Sequence, residues 1–186
     1  DAIVQVRDWR KANRPIVNLW YSLESMVLNT VVTGETGCES RITSRIEGDF
    51  LTLELPSGRK LWYYKPFAKR RIVRPKRRDP FETTSIMYLG AASGKNVQWG
   101  EVSTYGGSLV ENVTQAIARD LLVYSMLLLE RNGIAIIGSV HDEVIAQVDK
   151  GKYSISRIEA MMNQTPGWAK GIPVASEGFI ANRYRK

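Results

Sequence analysis

Ile134-Ala-Ile-Ile-Gly-Ser-Val140, then His141-Asp142-Glu143, then Val144-Ile-Ala-Gln-Val148 decides how the chain is read. Two β-rich apolar runs flank a short polar break, a pattern that predicts a hairpin. The break sets the sole histidine beside two carboxylates. A tight turn has no room to bury Asp142, so its carboxylate is expected to project beyond the strand ends into a cleft or solvent. A carboxylate on a rigid two-stranded support suits Mg²⁺, which takes few protein oxygens and holds them to strict geometry. Taken alone, the triplet is better read as an ordinary hairpin with a polar turn, and it is the surrounding sequence that favours the metal reading.

The segment before the hairpin predicts a long helix over Ser108–Arg131. Ser108 with Glu111 forms a capping box for the orphan N–H groups of a helix start. Val110, Val113, Ile117, Leu121, Tyr124 and Leu128 recur at helical spacing, and Asn132-Gly133 is a helix stop. The other side carries Glu111, Gln115 and Arg119 in one row. They form either a solvated face or a set of hydrogen-bonding groups offered to a ligand beside the turn. After the hairpin, a short helix is expected over Tyr153–Asn163 and a strand over Ile172–Ser176, followed by the basic end Asn182-Arg-Tyr-Arg-Lys186.

Nearer the start, apolar residues at Val6, Trp9, Ile16, Leu19, Trp20, Leu23 and Val27 predict a core-facing amphipathic helix, kinked or split by Pro15. Asp49–Tyr64 predicts a second hairpin around the turn Pro56-Ser-Gly-Arg59, with Thr52 and Glu54 on a wet face. Lys65–Arg78 is the most basic stretch and holds no acid. Lys69, Arg70, Arg71 and Arg74 are candidate contacts to a phosphate backbone; the alternative is a solvated loop. A short strand is expected within Thr84–Gly90 and a loop over Ala91–Gly100.

The 186 residues fit one domain or part of one, and 44% are hydrophobic, enough for a packed core. A net charge of +7 points to an anionic partner, nucleic acid ahead of membrane. The single Cys38 excludes an internal disulfide and a Cys-rich zinc site, and the single His141 excludes multi-histidine metallohydrolases. No apolar run is long enough to span a bilayer and no signal peptide opens the chain, so the expected setting is the reducing cytoplasm. The first residue is Asp1 rather than Met, as in a piece of a longer chain.

Tyr105-Gly-Gly-Ser-Leu-Val-Glu-Asn-Val-Thr-Gln-Ala-Ile-Ala-Arg-Asp-Leu-Leu122, followed by Gly138-Ser-Val-His-Asp-Glu-Val144, resembles the C-terminal palm of family A DNA polymerases, the phage and prophage members above all. Pro166-Gly-Trp-Ala-Lys-Gly-Ile-Pro173, Ser176-Glu-Gly-Phe179 and the Pro56–Arg59 hairpin with Tyr63 fit the same group. The resemblance implies an α+β fold, a partial polymerase palm with antiparallel strands packed on the long helix. It implies that Asp142 is one of two aspartates holding the catalytic Mg²⁺ pair, with Glu143 an auxiliary acid and His141 close to the primer terminus. Gln115 corresponds to a glutamine that touches the primer–template minor groove, with Asn112 adjacent to that face, and Asp120 to a structural acid. Where bacterial members carry arginine and asparagine before that glutamine, this chain has Gly107 and Glu111.

The family's first metal aspartate and nucleotide-binding helix lie upstream of the matching residues, and no proofreading exonuclease segment is found here. The resemblance therefore implies part of a template-directed DNA polymerase acting on primer–template DNA and deoxynucleoside triphosphates with Mg²⁺, inactive alone and completed by an N-terminal portion. That portion would cover apolar surface near Trp9, Ile16 and Trp20. A fragment, a split subunit and a prophage remnant are all open, as are a non-catalytic basic nucleic-acid-binding module and a purely structural domain.

Overall fold

The computed structural model describes residues 2–74, 79–91 and 98–184, with only the backbone of Val73. Its α+β fold divides into two compact units, residues 1–114 and 115–186. Lys76, Arg77 and Arg78 of the basic stretch, and most of the loop expected over Ala91–Gly100, lie outside the described residues.

The first unit opens with α1 (Ala2–Ala12) and α2 (Arg14–Thr33). The break falls just before Pro15, whose ring would clash with a carbonyl one turn back and which has no N–H to give. In the first turn of α2, where Pro15 falls, that missing N–H is an orphan anyway. Asn13 bridges the break, its side-chain amide donating to the Trp9 carbonyl at 2.9 Å. The α2 helix faces the core through Val17, Leu23, Val27 and Thr30, whereas α1 has no buried residue. The core-facing expectation thus holds for α2 and fails for α1.

Six strands follow in a meander: β1 (Gly37–Glu39), β2 (Ile42–Glu47), β3 (Phe50–Glu54), β4 (Lys60–Val73), β5 (Phe81–Ala91) and β6 (Trp99–Thr104). Each pairs antiparallel with the next. The sheet packs on α2 through β1, β2, β4 and β5. Alternation turns Leu51, Leu53 and Tyr63 to one face, where they are buried.

Several expectations change here. The Pro56–Arg59 hairpin forms as expected, with Phe50 opposite Tyr64. Thr52, however, is fully buried rather than wet. Its hydroxyl donates to Glu47 Oε1 at 3.1 Å, and the long side chains around it cover it. The start of the basic stretch is a strand rather than a loop: β4 runs on through Lys69, Arg70 and Arg71, paired with Ser85, Thr84 and Thr83 of β5. A β-bulge between Tyr64 and Phe67, with Lys65 at φ 46°, lets the strand bend and continue. The strand β6 was not expected.

Next comes α3 (Gly106–Arg131), whose residues divide between the two units. It begins two residues before the expected capping box, and Glu24 accepts from the Gly106 N–H at 3.0 Å. In the first unit Leu109 and Val113 are buried, and the Asn112 amide donates to the Tyr63 hydroxyl at 3.1 Å. Burial pushes the Tyr63 phenol above its ordinary value, and the bond from Asn112 opposes that only in part.

The second unit holds the rest of α3, the hairpin β7 (Ala135–Val140) and β8 (Glu143–Gln147), and α4 (Ile155–Met162), capped by Ser154. At the end of α3, Gly133 sits at φ 77° and the Ile134 N–H reaches the Leu129 carbonyl at 3.1 Å. The Gly133 N–H bonds to the Glu130 carbonyl at 3.0 Å, which completes a Schellman stop. Leu129, Ile134 and Met161 form the core, with Ile136, Val144 and Ile158 packed around it. The hairpin therefore packs on α3 as expected, while the large sheet rests chiefly on α2. No strand forms over Ile172–Ser176. Pro173 gives no ladder hydrogen bond, and the segment is held by side chains instead: the Ser176 hydroxyl donates to Asn163 Oδ1 at 2.8 Å.

Candidate metal-site hairpin

Val140 and Glu143 are the last paired residues of β7 and β8, so His141 and Asp142 alone make the loop. Two-residue hairpin loops favour positive φ, and His141 adopts φ 53°. Histidine is among the few non-glycine residues that take this conformation with any frequency. His141, Asp142 and Glu143 are all exposed, and the carboxylates stand at the strand ends as the sequence predicts.

Local bonds fix this turn. Glu130 Oε1 accepts from the Ile136 N–H at 2.8 Å, and Arg119 reaches the Ser139 hydroxyl at 3.4 Å. Both link α3 to β7. A bulge between Ile136 and Gly138 shifts the register and leaves Ile137 exposed. Sequence reasoning missed it, although Gly138 within an apolar strand was a signal. Arg119 is thus a brace for the hairpin as well as a member of the exposed row.

Among the described residues, no three His, Cys, Asp or Glu side chains converge as a metal-binding group. Asp142 and Glu143 fit one side of a Mg²⁺ ligand set, because hard oxygen donors on a rigid turn are what that ion takes. A complete protein set would need further carboxylates.

The other candidates lie apart from the hairpin in sequence and differ in engagement. Gln115 is exposed on α3, whereas Asn112 holds α3 to Tyr63. Lys69 pairs with Glu101 at 2.5 Å. Arg70, Arg71 and Arg74 are exposed, with no ion pair among the described residues. Glu47 accepts from Lys60 at 2.6 Å, and this bond holds its carboxyl below the ordinary range.

The chain is similar to a phage DNA polymerase. That relative, the DNA polymerase of Bacillus phage SP02, is 36% identical over 183 residues, which are 97% of this chain and 27% of the polymerase. The chain therefore spans about a quarter of the length of that curated relative. No protein-family model matches the chain, and no solved structure matches it. No described helix is long and apolar enough to cross a membrane.

Proposed function

We propose that this chain is the C-terminal portion of a phage-type family A DNA polymerase, with a palm fold, and that its two-residue turn delivers Asp142 to the catalytic Mg²⁺ pair. The observation that carries the proposal is the similarity to a phage DNA polymerase over nearly the whole chain. The turn supports it by exposing Asp142 on a braced hairpin.

In this reading Asp142 would hold the metal, and Glu143 would stand beside it as an auxiliary acid. Bound there, the metal would supply electrostatic stabilisation of the charge that develops when a primer 3′-hydroxyl displaces pyrophosphate from a nucleotide α-phosphate. His141 lies next to the primer terminus. Gln115 reads the minor groove, and Lys69, Arg70, Arg71 and Arg74 supply positive charge to the backbone. Asn112 acts one step removed, by seating the start of α3 on Tyr63. The setting is the host cytoplasm.

An N-terminal portion supplies the second aspartate and the nucleotide-binding helix. The exposed apolar residues of α1, Ile3, Val4, Val6 and Trp9, support such a partner. Ile16 is exposed too, while Trp20 is partly covered by its stack on Trp9 at 5.8 Å. The partial donor set favours a second reading, a nucleic-acid-binding module without catalysis.

Primer extension with Mg²⁺ separates the two. The isolated chain should incorporate no nucleotide, and titrating in the N-terminal portion should restore extension. Incorporation by the isolated chain would contradict the division of the metal ligands. Silence with a folded, bound partner would favour the non-catalytic module or a remnant.

A further inference from the structure

The face of the six-stranded sheet opposite Leu51 and Leu53 carries an unexpected row of rings. Phe50, Trp62, Tyr64 and Trp99 share it by register: Phe50 opposes Tyr64, Tyr64 opposes Leu89, and Ala91, two residues further on, opposes Trp99. The rings touch in sequence, with centroids 5.5 Å apart for Phe50–Trp62, 5.2 Å for Phe50–Tyr64 and 6.5 Å for Tyr64–Trp99. Trp62 is 54% exposed and Trp99 67%. Core packing does not account for two such exposed tryptophans in one row.

The charges beside the rings select the occupant. Glu47, Glu54 and Glu101 lie on this face, and each is paired: with Lys60 at 2.6 Å, Arg45 at 3.8 Å and Lys69 at 2.5 Å. Lys65 stands over the Tyr64 ring at 5.4 Å. Further along β4, Arg71 falls on the same face as Lys69 and is exposed without an ion pair among the described residues. Rings with neutralised acids and spare cations match a polyanion whose bases can leave their own stack. A duplex keeps its bases stacked and offers the rings nothing, so the fitting ligand is a single strand.

We infer that this sheet face is a stacking platform for single-stranded nucleic acid, with bases on Trp62 and Trp99 and phosphates toward Lys65 and Arg71. The inference deepens the DNA-binding reading above by naming the strand state, yet it does not require the Asp142 hairpin to be catalytic.

The test is titration of the full chain with a fluorescein-labelled oligothymidylate, read by anisotropy and by tryptophan fluorescence. Trp62→Ala and Trp99→Ala should each weaken binding about 5- to 150-fold, the usual range for one stacked base. Trp62→Phe keeps a ring and should retain most of the affinity. Arg71→Gln should instead flatten the salt dependence, by about 0.7 log units per log unit of salt for one single-strand phosphate contact. A duplex of the same length, wherever it binds, should leave the tryptophan emission nearly unchanged, and Asp142→Asn should leave the single-strand response unchanged, which separates this inference from the proposed catalysis. Circular dichroism identifies any variant that fails to fold; if Trp62→Ala does, Trp99→Ala on the edge strand decides. Affinities within twofold of the parent in the folded alanine variants, or an equal tryptophan response to duplex, would overturn the platform.

Discussion

Asp142→Asn should lower single-turnover nucleotide incorporation by about 10³-fold or more in a polymerase containing this chain. Losing a carboxylate that holds the metal pair removes several kcal/mol of transition-state stabilisation, and each 1.36 kcal/mol is a factor of about ten. The fold should survive, because Asp142 is exposed at the turn and carries no hydrogen bond or ion pair among the described residues. Urea denaturation should therefore match the parent while incorporation collapses. Glu143→Gln should cost less, about tenfold, because water can fill its place in a Mg²⁺ shell. Near-parental incorporation by Asp142→Asn would remove the metal role from this residue.

Gly106→Ala should destabilise the first unit by about 3 kcal/mol, near the upper end of ordinary overpacking. A Cβ on Gly106 would sit 2.0 Å from the Trp20 carbonyl oxygen and 2.6 Å from its carbon. Those are backbone atoms of α2, and they cannot swing aside. The Gly106 N–H also binds Glu24 at 3.0 Å, so a shift of α3 would cost that bond as well. Gly100→Ala is the matched control, since nothing lies within 4 Å of its added Cβ. It should stay within about 0.5 kcal/mol of the parent. Equal stability of the two variants in urea would show that α2 and α3 do not approach as closely as described.

These two sites differ in how far the sequence discloses them. The turn that carries Asp142 was legible because its surroundings obey local rules. Apolar β-rich runs on both sides define the strands, and Asn132-Gly133 stops the preceding helix through the bonds at Gly133 and Ile134. Gly106 was not legible. Its role depends on Trp20, far away in the chain, and the Ser108–Glu111 pair pointed to a later helix start. Tertiary context also hid the burial of Thr52, which a polar residue in an alternating strand does not announce. The charges of the basic stretch left a loop open because cations are poor guides to β-pairing; for Lys69, Arg70 and Arg71 the partner strand, β5, supplied what their own sequence lacked. The ring row was spread over three strands, so no single segment displayed it. For the proposed metal site, the limit is chemical: one exposed turn carries two carboxylates, and no further protein ligands converge among the described residues.

The most direct test replaces Mg²⁺ with Fe²⁺ in the reconstituted polymerase on primer–template DNA and maps backbone cleavage by locally generated hydroxyl radicals. Cuts at residues 139–145, suppressed by excess Mg²⁺ and lost in Asp142→Asn, are the predicted result. Mg²⁺-sensitive cuts confined to other segments, with the hairpin left whole, would contradict the assignment of Asp142 to the catalytic metals.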